Sequence, residues 1–549
     1  MRTDRITAAE NSIDIRSLTW DRLAACFLVL LAVLALLTFR DYGITWDEEI
    51  QRIYGDKLLA YYGSLFQDRS VFSLDNLFYY GGLFEIVAAL AAKISPLGLY
   101  ETRHLLCAFV GILGAAGSWR LGRMLGGPRA GFVALVLTVL TPAYYGHSFF
   151  NPKDIPFACA LIWALFFACR SVREFPAPRL RSVMAMGVTL GLALGIRIGG
   201  GLIILYVAAA LAVHGALRVR AGISAFTVLR DTAHFSMRLL PALPIAYLVM
   251  VAFWPWAVQA PLNPFYALLA FAKMQWPGQV LMDGTWMPPS KLPFYYLPLM
   301  LAIRLPEMVL LGLAGAAGAA LAWLAKGRGG ADAAKGLPHI LLASAILVPI
   351  AYCAVLRPNV FHGYRHFLFL VPVAAVIASL AWDRIWTWTA LHRPQMNRWA
   401  VGTFGAMVLF HVLILSTLFP DEYIYYNAFV GGVHGAAGRF ETDYWGSSLR
   451  EATGDLEQFI EKEDGGKAIP RYYSVAVVCA NPLSASYYFS PFLRSSKQVD
   501  GADFVVERTN ADCSTPIAGR IIAQVRRSGV VLSTVFDRRK IWRQAAEDR

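Results

Sequence analysis

Long apolar runs alternate with short polar segments over residues 23–419. Runs of about 18 residues or more are long enough to cross a bilayer as helices. The first run, residues 23–39, follows a polar start and has no small-residue cleavage site after it, so we predict a retained first span. Residues 77–94 are apolar but are broken by two glycines and Glu85, and we predict that they lie in the membrane interface. With the second span beginning near His104, the pattern predicts about eleven spans.

A short amphipathic helix is predicted between the first span and the interfacial segment. Residues 41–62 read DYGITWDEEIQRIYGDKLLAYY, in which Thr45 and Glu48 have the spacing of a capping box. Apolar residues recur on one side at helical spacing: Ile50, Ile53, Tyr54, Leu58, Tyr61 and Tyr62. Asp47 and Glu48 stand at the N-terminus of this helix. Their carboxylates either complement the helix dipole, which contributes roughly 0.3–1 kcal/mol each, or carry chemistry.

The composition changes after residue 419. Residues 447–462 are predicted to form an amphipathic helix, and residues 473–478, 504–507 and 530–536 are typical of short strands. This mixture predicts a small α/β domain outside the membrane over residues 420–549, after a cytoplasmic N-terminus at 1–22 and a transmembrane domain at 23–419. Cys479 and Cys513 are the only cysteines of that last domain, and we predict that they pair in an oxidising compartment.

Composition and charge agree with an integral membrane protein. The chain is 57% hydrophobic and 16% charged, with a mean hydropathy of +0.49, which is too apolar for a soluble chain of 549 residues. The net charge of +13 comes from the membrane part, because residues 420–549 hold 16 Lys and Arg against 17 Asp and Glu.

The distribution of basic residues predicts the orientation. The predicted inner segments hold 21 Lys and Arg, whereas the outer loops hold 13; the inner segments are residues 1–22, 119–129, 170–181, 216–238, 326–335 and 384–398. This bias has the sign of the positive-inside rule, so we predict an inner N-terminus and an outer tail. The basic excess indicates contact with anionic lipid and not with nucleic acid.

This orientation gathers charged and histidine residues at the outer face. Among them are Asp47, Glu48, Arg103, Asp154, Arg197, Tyr364, Arg365 and His366. Each has a structural alternative, since arginines snorkel to lipid head groups and Asp154 could cap a helix. A polyprenyl-phosphate-linked sugar would use them together, because a carboxylate takes the proton of an attacking hydroxyl while Arg and His stabilise the leaving phosphate. Asp47 fits the base, and Arg365 and Arg197 fit the phosphate.

In this order, the residues resemble the GT-C glycosyltransferases. The early Asp-Glu pair, the arginine that opens the second span, the acid that opens the fourth and the late outer Arg-His look like the protein O-mannosyltransferase and aminoarabinose lipid A transferase branch, especially its bacterial family 39-like members. The tail segment YNAFVGGVHGAAGRFETDYWG is also similar to that bacterial group. The resemblance implies a GT-C-like helical fold and inverting sugar transfer. By position it implies catalytic roles for Asp47, Glu48 and Asp154, and donor-phosphate contacts by Arg103, Arg197, Tyr364, Arg365 and His366.

The sequence departs from these relatives in the first outward loop, residues 40–103. Relatives commonly place a lysine in a second juxtamembrane helix to hold the donor phosphate, whereas this chain reads FYYGGLFE there. Lys57, Tyr79 or Tyr80 would have to make that contact instead.

Two other function classes stay open at this point. A transporter or lipid flippase also places charges within the membrane, although no paired half-repeats are visible and the charges gather at one face. A non-catalytic sugar-binding scaffold is the second. The predicted partners are a polyprenyl-phosphate sugar, a glycan, lipid or protein hydroxyl acceptor, and membrane lipids, at a bacterial inner membrane with the site facing the periplasm. No Cys/His metal-ligand spacing is present, the sequence names no cofactor, and use of a divalent cation is left open.

Overall fold

The computed structural model describes residues 2–274, 276–325, 332–463, 472–509, 512–513 and 516–541. For residues 2–17, 272 and 332–335 it describes the backbone but not the side chains. Within these residues, nine helical segments are long and apolar enough to cross a membrane: Leu18–Thr38, Leu99–Val139, Asp154–Arg173, Ile198–Arg220, Ala225–Phe253, Glu307–Ala325, Gly336–Leu356, Leu370–His392 and Pro394–Leu418. The chain is therefore a multi-pass α-helical membrane protein, as predicted. The inner basic loop predicted at 326–335 lies outside the residues described in full, as does the tail from residue 542.

The first seven helices contain a hairpin that returns the chain to its starting side. They are α1 (Arg2–Thr38), α2 (Glu48–Gly63), α3 (Leu83–Ile94), α4 (Leu99–Val139), α5 (Pro142–Phe150), α6 (Asp154–Arg173) and α7 (Leu180–Leu194). The 41 residues of α4 would extend about 60 Å, twice the hydrocarbon thickness, but the helix breaks at Gly127, where φ is 88°. Gly131 in the second half lies against the Trp119 carbonyl of the first, so the second half runs back along the first. With α4 as two crossings and the short apolar α7 as one more, the described chain matches the eleven spans expected.

The interfacial segment behaves as predicted. Helix α3 has 12 residues, about 18 Å, and is too short to span a bilayer. The buried face of α2 carries Tyr54, Leu58 and Tyr61, which pack on the segment that leads into α3. Ile50, predicted on the same face, is 42% exposed and lies off it.

The middle of the chain builds the rest of the bundle. Its helices are α8 (Leu202–Arg220), α9 (Ala225–Leu239), α10 (Ala242–Phe253), α11 (Pro255–Gln259), α12 (Asn263–Lys273), α13 (Tyr296–Arg304), α14 (Glu307–Ala325), α15 (Asp332–Leu356), α16 (Leu370–His392) and α17 (Pro394–Leu418), with a hairpin of β1 (Val280–Met282) and β2 (Thr285–Met287) between α12 and α13. Helices α4, α6 and α16 form its centre. Gly187 and Gly191 of α7 lie against the backbone of α10, because small residues let membrane helices approach closely.

A five-stranded mixed sheet and a helix form the C-terminal domain. Its elements follow α18 (Gly432–Ala436) and are α19 (Leu449–Glu463), β3 (Tyr473–Val478), α20 (Leu483–Ser486), β4 (Leu493–Ser496), β5 (Phe504–Arg508), β6 (Arg520–Arg527) and β7 (Val530–Asp537). The strand order is β4-β3-β5-β7-β6, with β3 parallel to both neighbours and β7 antiparallel to its own. The predicted helix and three predicted strands are present. Within residues 421–448, Tyr423 and Trp445 pack both with membrane helices and with Val530 and Leu532 of β7.

The predicted pair Cys479–Cys513 is formed, with Cα atoms 5.7 Å apart and a sequence separation of 34. Closing a loop of this size contributes roughly 2–4 kcal/mol to stability. We expect Cys513→Ser to lower the free energy of unfolding of the C-terminal domain by about that amount, measured by denaturant titration. Thiol labelling of the intact protein should reach neither cysteine until reductant is added; labelling of both without reductant would contradict the pairing.

Candidate active site

The loop after α1 presents Asp47 without using its side chain as a helix cap. Half of the predicted capping box is present, because the Thr45 backbone N–H donates to Glu48 Oε1 at 2.7 Å, whereas the Glu48 N–H donates to the Thr45 carbonyl and not to its hydroxyl. Asp47 precedes the helix and makes no side-chain capping bond. Its Oδ2 accepts a hydrogen bond from Arg365 Nη1 at 3.0 Å. Because it makes no capping bond, the Asp47 carboxylate is available to the rest of the chain.

Glu48 is held by other partners. It is 1% exposed, and its Oε1 also accepts a hydrogen bond from Thr45 Oγ1 at 3.0 Å. Its Oε2 lies 2.8 Å from His104 Nε2 on α4. Both carboxylate oxygens of Glu48 are engaged, and they tie the first loop to α4.

The start of α6 places Asp154 beside Arg197. The side chain of Asn151 caps α6 by accepting the Asp154 backbone N–H at 2.8 Å, so Asp154 is not needed as the cap. Asp154 Oδ1 lies 2.5 Å from Arg197 Nη2, and Oδ2 accepts from the Asn151 side chain at 2.9 Å. Asp154 is 3% exposed, and its two bonds hold the Arg197 guanidinium in place.

The loop before α16 brings Arg365 and His366 to the same place. Gly363 has a φ of +65°, and a Cβ at this position would meet the Arg304 guanidinium, so glycine is required for the turn. Arg365 is 7% exposed, and its guanidinium lies 4.6 Å from the Trp445 ring centre and 5.1 Å from that of Phe361. These rings replace water around the guanidinium, which strengthens its charge interactions.

Lys153 is a third cation beside Arg365 and Arg197, and no sequence motif predicted it. Asp47, Asp154, Lys153, Arg197 and Arg365 together form the Asp47 cluster. Lys153 Nζ lies 4.2 Å from the ring centre of Tyr80, and the Arg197 guanidinium lies 5.5 Å from the same ring. Lys153 also interacts electrostatically with Asp47. Tyr80 belongs to the FYYGGLFE segment, so a lysine from the start of α6 lies against a segment that has no lysine of its own.

The cations set the protonation of the site. Burial would raise the pKa of Asp47, but Arg365, Lys153 and Arg197 together hold it below its ordinary value. Burial lowers the pKa of Lys153 to about 8, against the attraction of Asp47. Burial and the three cations depress the pKa of His366 well below its usual range, so its imidazole is neutral at neutral pH.

Three residues predicted to contact the donor phosphate are not gathered here. Lys57 lies on α2 about 15 Å along the helix from Asp47, and its charge acts on Asp68 instead. Arg103 is buried and paired with Glu85 at 2.5 Å. Tyr364 is buried against Arg304, and its hydroxyl has no hydrogen-bond partner among the described residues.

Residues 421–448, which follow the last membrane helix, close one side of the cluster. The Trp445 carbonyl accepts the Trp46 backbone N–H at 3.2 Å, which ties the tail to the loop that carries Asp47. Tyr42 Oη donates to Glu422 Oε1 at 2.9 Å in the same contact region. The role of Trp445 beneath Arg365 was not predicted, and its only sequence signal is its place in the family-like tail segment.

The charges of this cluster suit the binding of an anion next to a carboxylate. Arg365, Lys153 and Arg197 surround the carboxylates of Asp47 and Asp154, which leaves one positive charge uncompensated. No group of three or more His, Cys, Asp or Glu side chains in the described part of the chain is arranged to hold a metal ion.

Comparison with known proteins identifies the family of the central segment. Residues 87–230 match the family model described as dolichyl-phosphate-mannose-protein mannosyltransferase. The matched segment includes Arg103, Lys153, Asp154 and Arg197. Among curated proteins, none matches the sequence.

Similar solved structures are distant in sequence. ArnT from Cupriavidus metallidurans bound to undecaprenyl phosphate has 14% identity and a TM-score of 0.49, over 94% of this chain and 98% of that chain. AglB, the oligosaccharyltransferase from Archaeoglobus fulgidus in complex with an inhibitory peptide and a dolichol-phosphate, has 15% identity and a TM-score of 0.44, over 89% and 69%. The match over residues 87–230 to a mannosyltransferase family agrees with the GT-C resemblance that the motifs predict.

Proposed function

We propose that the protein transfers a sugar from a polyprenyl-phosphate-linked donor to an acceptor hydroxyl, with inversion at the anomeric carbon. The single observation that carries this proposal is the pairing of Asp47 with Arg365 inside a cluster of three cations. The description of the matched family names a dolichyl-phosphate-linked sugar, which supports the donor class.

The charges suit the donor and the leaving group. The cluster carries one uncompensated positive charge, which matches the single charge of a phosphodiester donor. As the bond between the anomeric carbon and the phosphate oxygen breaks, the phosphate gains a second charge. Arg365, Lys153 and Arg197 would stabilise that charge by charge-assisted hydrogen bonds in a partly dry site.

Asp47 would accept the proton of the acceptor hydroxyl as its oxygen bonds to the anomeric carbon. In the free protein, Arg365 holds Asp47 ionised and weakly basic. When the donor phosphate binds Arg365, the guanidinium shares its charge with the phosphate, and the basicity of Asp47 rises. Donor binding would thus activate the base, and attack from the face opposite to the phosphate gives inversion.

Asp154 and Glu48 would act through their neighbours. Asp154 holds Arg197, and Glu48 holds the loop that presents Asp47. The acceptor is a hydroxyl of a protein, a lipid or a glycan.

A transfer assay tests the proposal. Purified protein is mixed with a defined polyprenyl-phosphate hexose or pentose carrying a labelled sugar, and with an extract of the cell envelope as acceptor. We expect label to enter the acceptor with equimolar release of polyprenyl phosphate. Movement of intact donor across vesicle membranes, without release of polyprenyl phosphate, would instead identify a flippase.

The proposed orientation puts the cluster outside the cytoplasmic membrane. The positive-inside bias supports it. Reporter fusions after Arg173 and after Ser447 are expected to give opposite signals, with the second exported, and a fusion after Arg220 should match the first. The same signal from the first two would refute this orientation.

The low pKa of Lys153 gives a test of its part in donor binding. Because the free protein loses this charge above a pH of about 8, kcat/KM should fall on the alkaline side. Lys153→Arg is expected to remove that fall, since arginine stays charged, whereas Lys153→Met should lower kcat/KM by about tenfold or more at neutral pH. Lys57→Met is the matched control and should behave like wild type. An alkaline limb that persists in Lys153→Arg would exclude Lys153 as its source.

A further inference from the structure

A second concentration of positive charge lines a cavity of about 520 Å³ away from the proposed active site. Its wall contains Arg120, Arg123, Arg170, Arg173 and Arg179, with Glu174 as its one carboxylate among the described residues. These residues come from α4, the end of α6 and the turn into α7.

The cavity and the Asp47 cluster lie at opposite ends of the same two helices. On α4, Arg120 follows Arg103 by 17 residues, and on α6, Arg170 follows Asp154 by 16. At 1.5 Å per residue both intervals are about 25 Å, close to the hydrocarbon thickness of a bilayer. The two sites therefore face opposite leaflets, whichever way the protein is inserted.

Most of the charge in the cavity is uncompensated. Arg123 pairs with Asp21 at 2.7 Å, and Arg179 is 3.9 Å from Glu174. Within the described chain, Arg120, Arg170 and Arg173 have no carboxylate partner. Anchoring to lipid head groups would explain arginines that point separately into the interface, but these side chains converge on one concavity.

Two hydrogen bonds fix the shape of the cavity without neutralising its arginines. Arg173 Nη1 donates to the Met124 carbonyl at 2.8 Å, which joins α6 to α4. Glu174 accepts the Arg179 backbone N–H at 2.7 Å, which fixes the turn. Met124 and Phe166 add apolar surface to the wall. A concave site with arginine donors and an apolar wall suits a phosphate group that carries an acyl chain.

We propose that this cavity binds the phosphate of an anionic phospholipid in the leaflet opposite to the Asp47 cluster. The guanidinium groups would donate paired hydrogen bonds to the phosphate oxygens, and the lipid chains would follow the apolar surface of α4 and α6. A soluble phosphate compound shares the head-group chemistry but has no use for the apolar wall. The phospholipid is distinct from the sugar donor.

The test uses the purified full chain in nanodiscs of phosphatidylcholine, with and without phosphatidylglycerol. Native mass spectrometry measures the lipids that remain bound after release. We expect wild type to retain phosphatidylglycerol over phosphatidylcholine by about tenfold or more, and Arg120→Gln/Arg170→Gln/Arg173→Gln to lose that preference. The matched control, Arg181→Gln/Arg220→Gln/Arg238→Gln, removes the same charge from residues outside the cavity and should keep it.

Equal loss in both triple variants, or no preference in wild type, would overturn the proposal. Saturable binding of inorganic pyrophosphate without any preference for phosphatidylglycerol would assign the cavity to a soluble phosphate and overturn the lipid assignment. If the triple variant does not fold, Arg170→Gln alone serves, and wild-type lipid preference in that variant would count against the site.

Discussion

Asp47→Asn is expected to lower turnover by about 10²–10⁴-fold while donor affinity changes little. Asparagine has nearly the shape of aspartate, and its side-chain oxygen can still accept the hydrogen bond that Arg365 donates to Asp47 at 3.0 Å. The substitution therefore preserves the contact seen in the structure and removes the capacity to take a proton. Transfer from a defined polyprenyl-phosphate sugar by purified protein measures the loss.

The control for this variant lies on the same helix. Asp56 pairs with Arg52 on the exposed side of α2, with 54% of its side chain accessible, so Asp56→Asn should keep wild-type turnover. Near wild-type turnover in Asp47→Asn, with normal folding, would refute a base at this position. The base would then be sought at Asp154, the other carboxylate of the cluster, although both of its oxygens are engaged with Arg197 and Asn151.

Apolar periodicity was sufficient to predict the membrane spans, because span length is visible in one dimension. It also located the buried strands β3, β5 and β7 of the C-terminal sheet. The two strands it missed, β4 and β6, are the edges of that sheet. Edge strands are half-exposed, and LRSS and RIIAQVRR carry charged residues that interrupt any apolar run.

The candidate site was predicted less completely, and Lys153 shows why. In sequence it stands beside Asp154 and more than 100 residues from Asp47. Only the return of α4 on itself brings the start of α6 next to the first loop, and no local pattern encodes that contact. Lys57 is nearer in sequence, but three turns of helix separate it from the N-terminus of α2.

Contacts within one element were easier to predict than contacts between elements. The contact between Thr45 and Glu48 depends on spacing alone, and the half of the capping box in which Glu48 accepts the Thr45 N–H is present. The contacts between Glu48 and His104 and between Arg103 and Glu85 depend on how α4 packs against the first loop. Those pairings occupy the side chains of two predicted site residues, Glu48 and Arg103.

Replacement of Arg365 is expected to have the second large effect and to act on two quantities at once. Arg365→Gln removes a charge-assisted hydrogen bond to the donor phosphate, worth roughly 1.5–3 kcal/mol, so the donor Kd should rise by about 10–150-fold. It also removes the largest attraction that lowers the pKa of Asp47, so that pKa rises.

The second effect separates this role from a structural one. Asp47 acts as a base only when ionised, so activity is lost as the pH falls through its pKa. A raised pKa moves the acid limb of the kcat/KM profile to higher pH, whereas a partly misfolded variant would lose amplitude without moving the limb.

Arg365→Lys keeps the charge without the planar fork, so it should leave the limb near its wild-type position and weaken donor binding by less. Arg439→Gln, at an exposed pair with Asp283, removes one arginine without touching the cluster and should change neither quantity. A weaker donor Kd with an acid limb identical to wild type would show that Arg365 binds the donor but does not control Asp47.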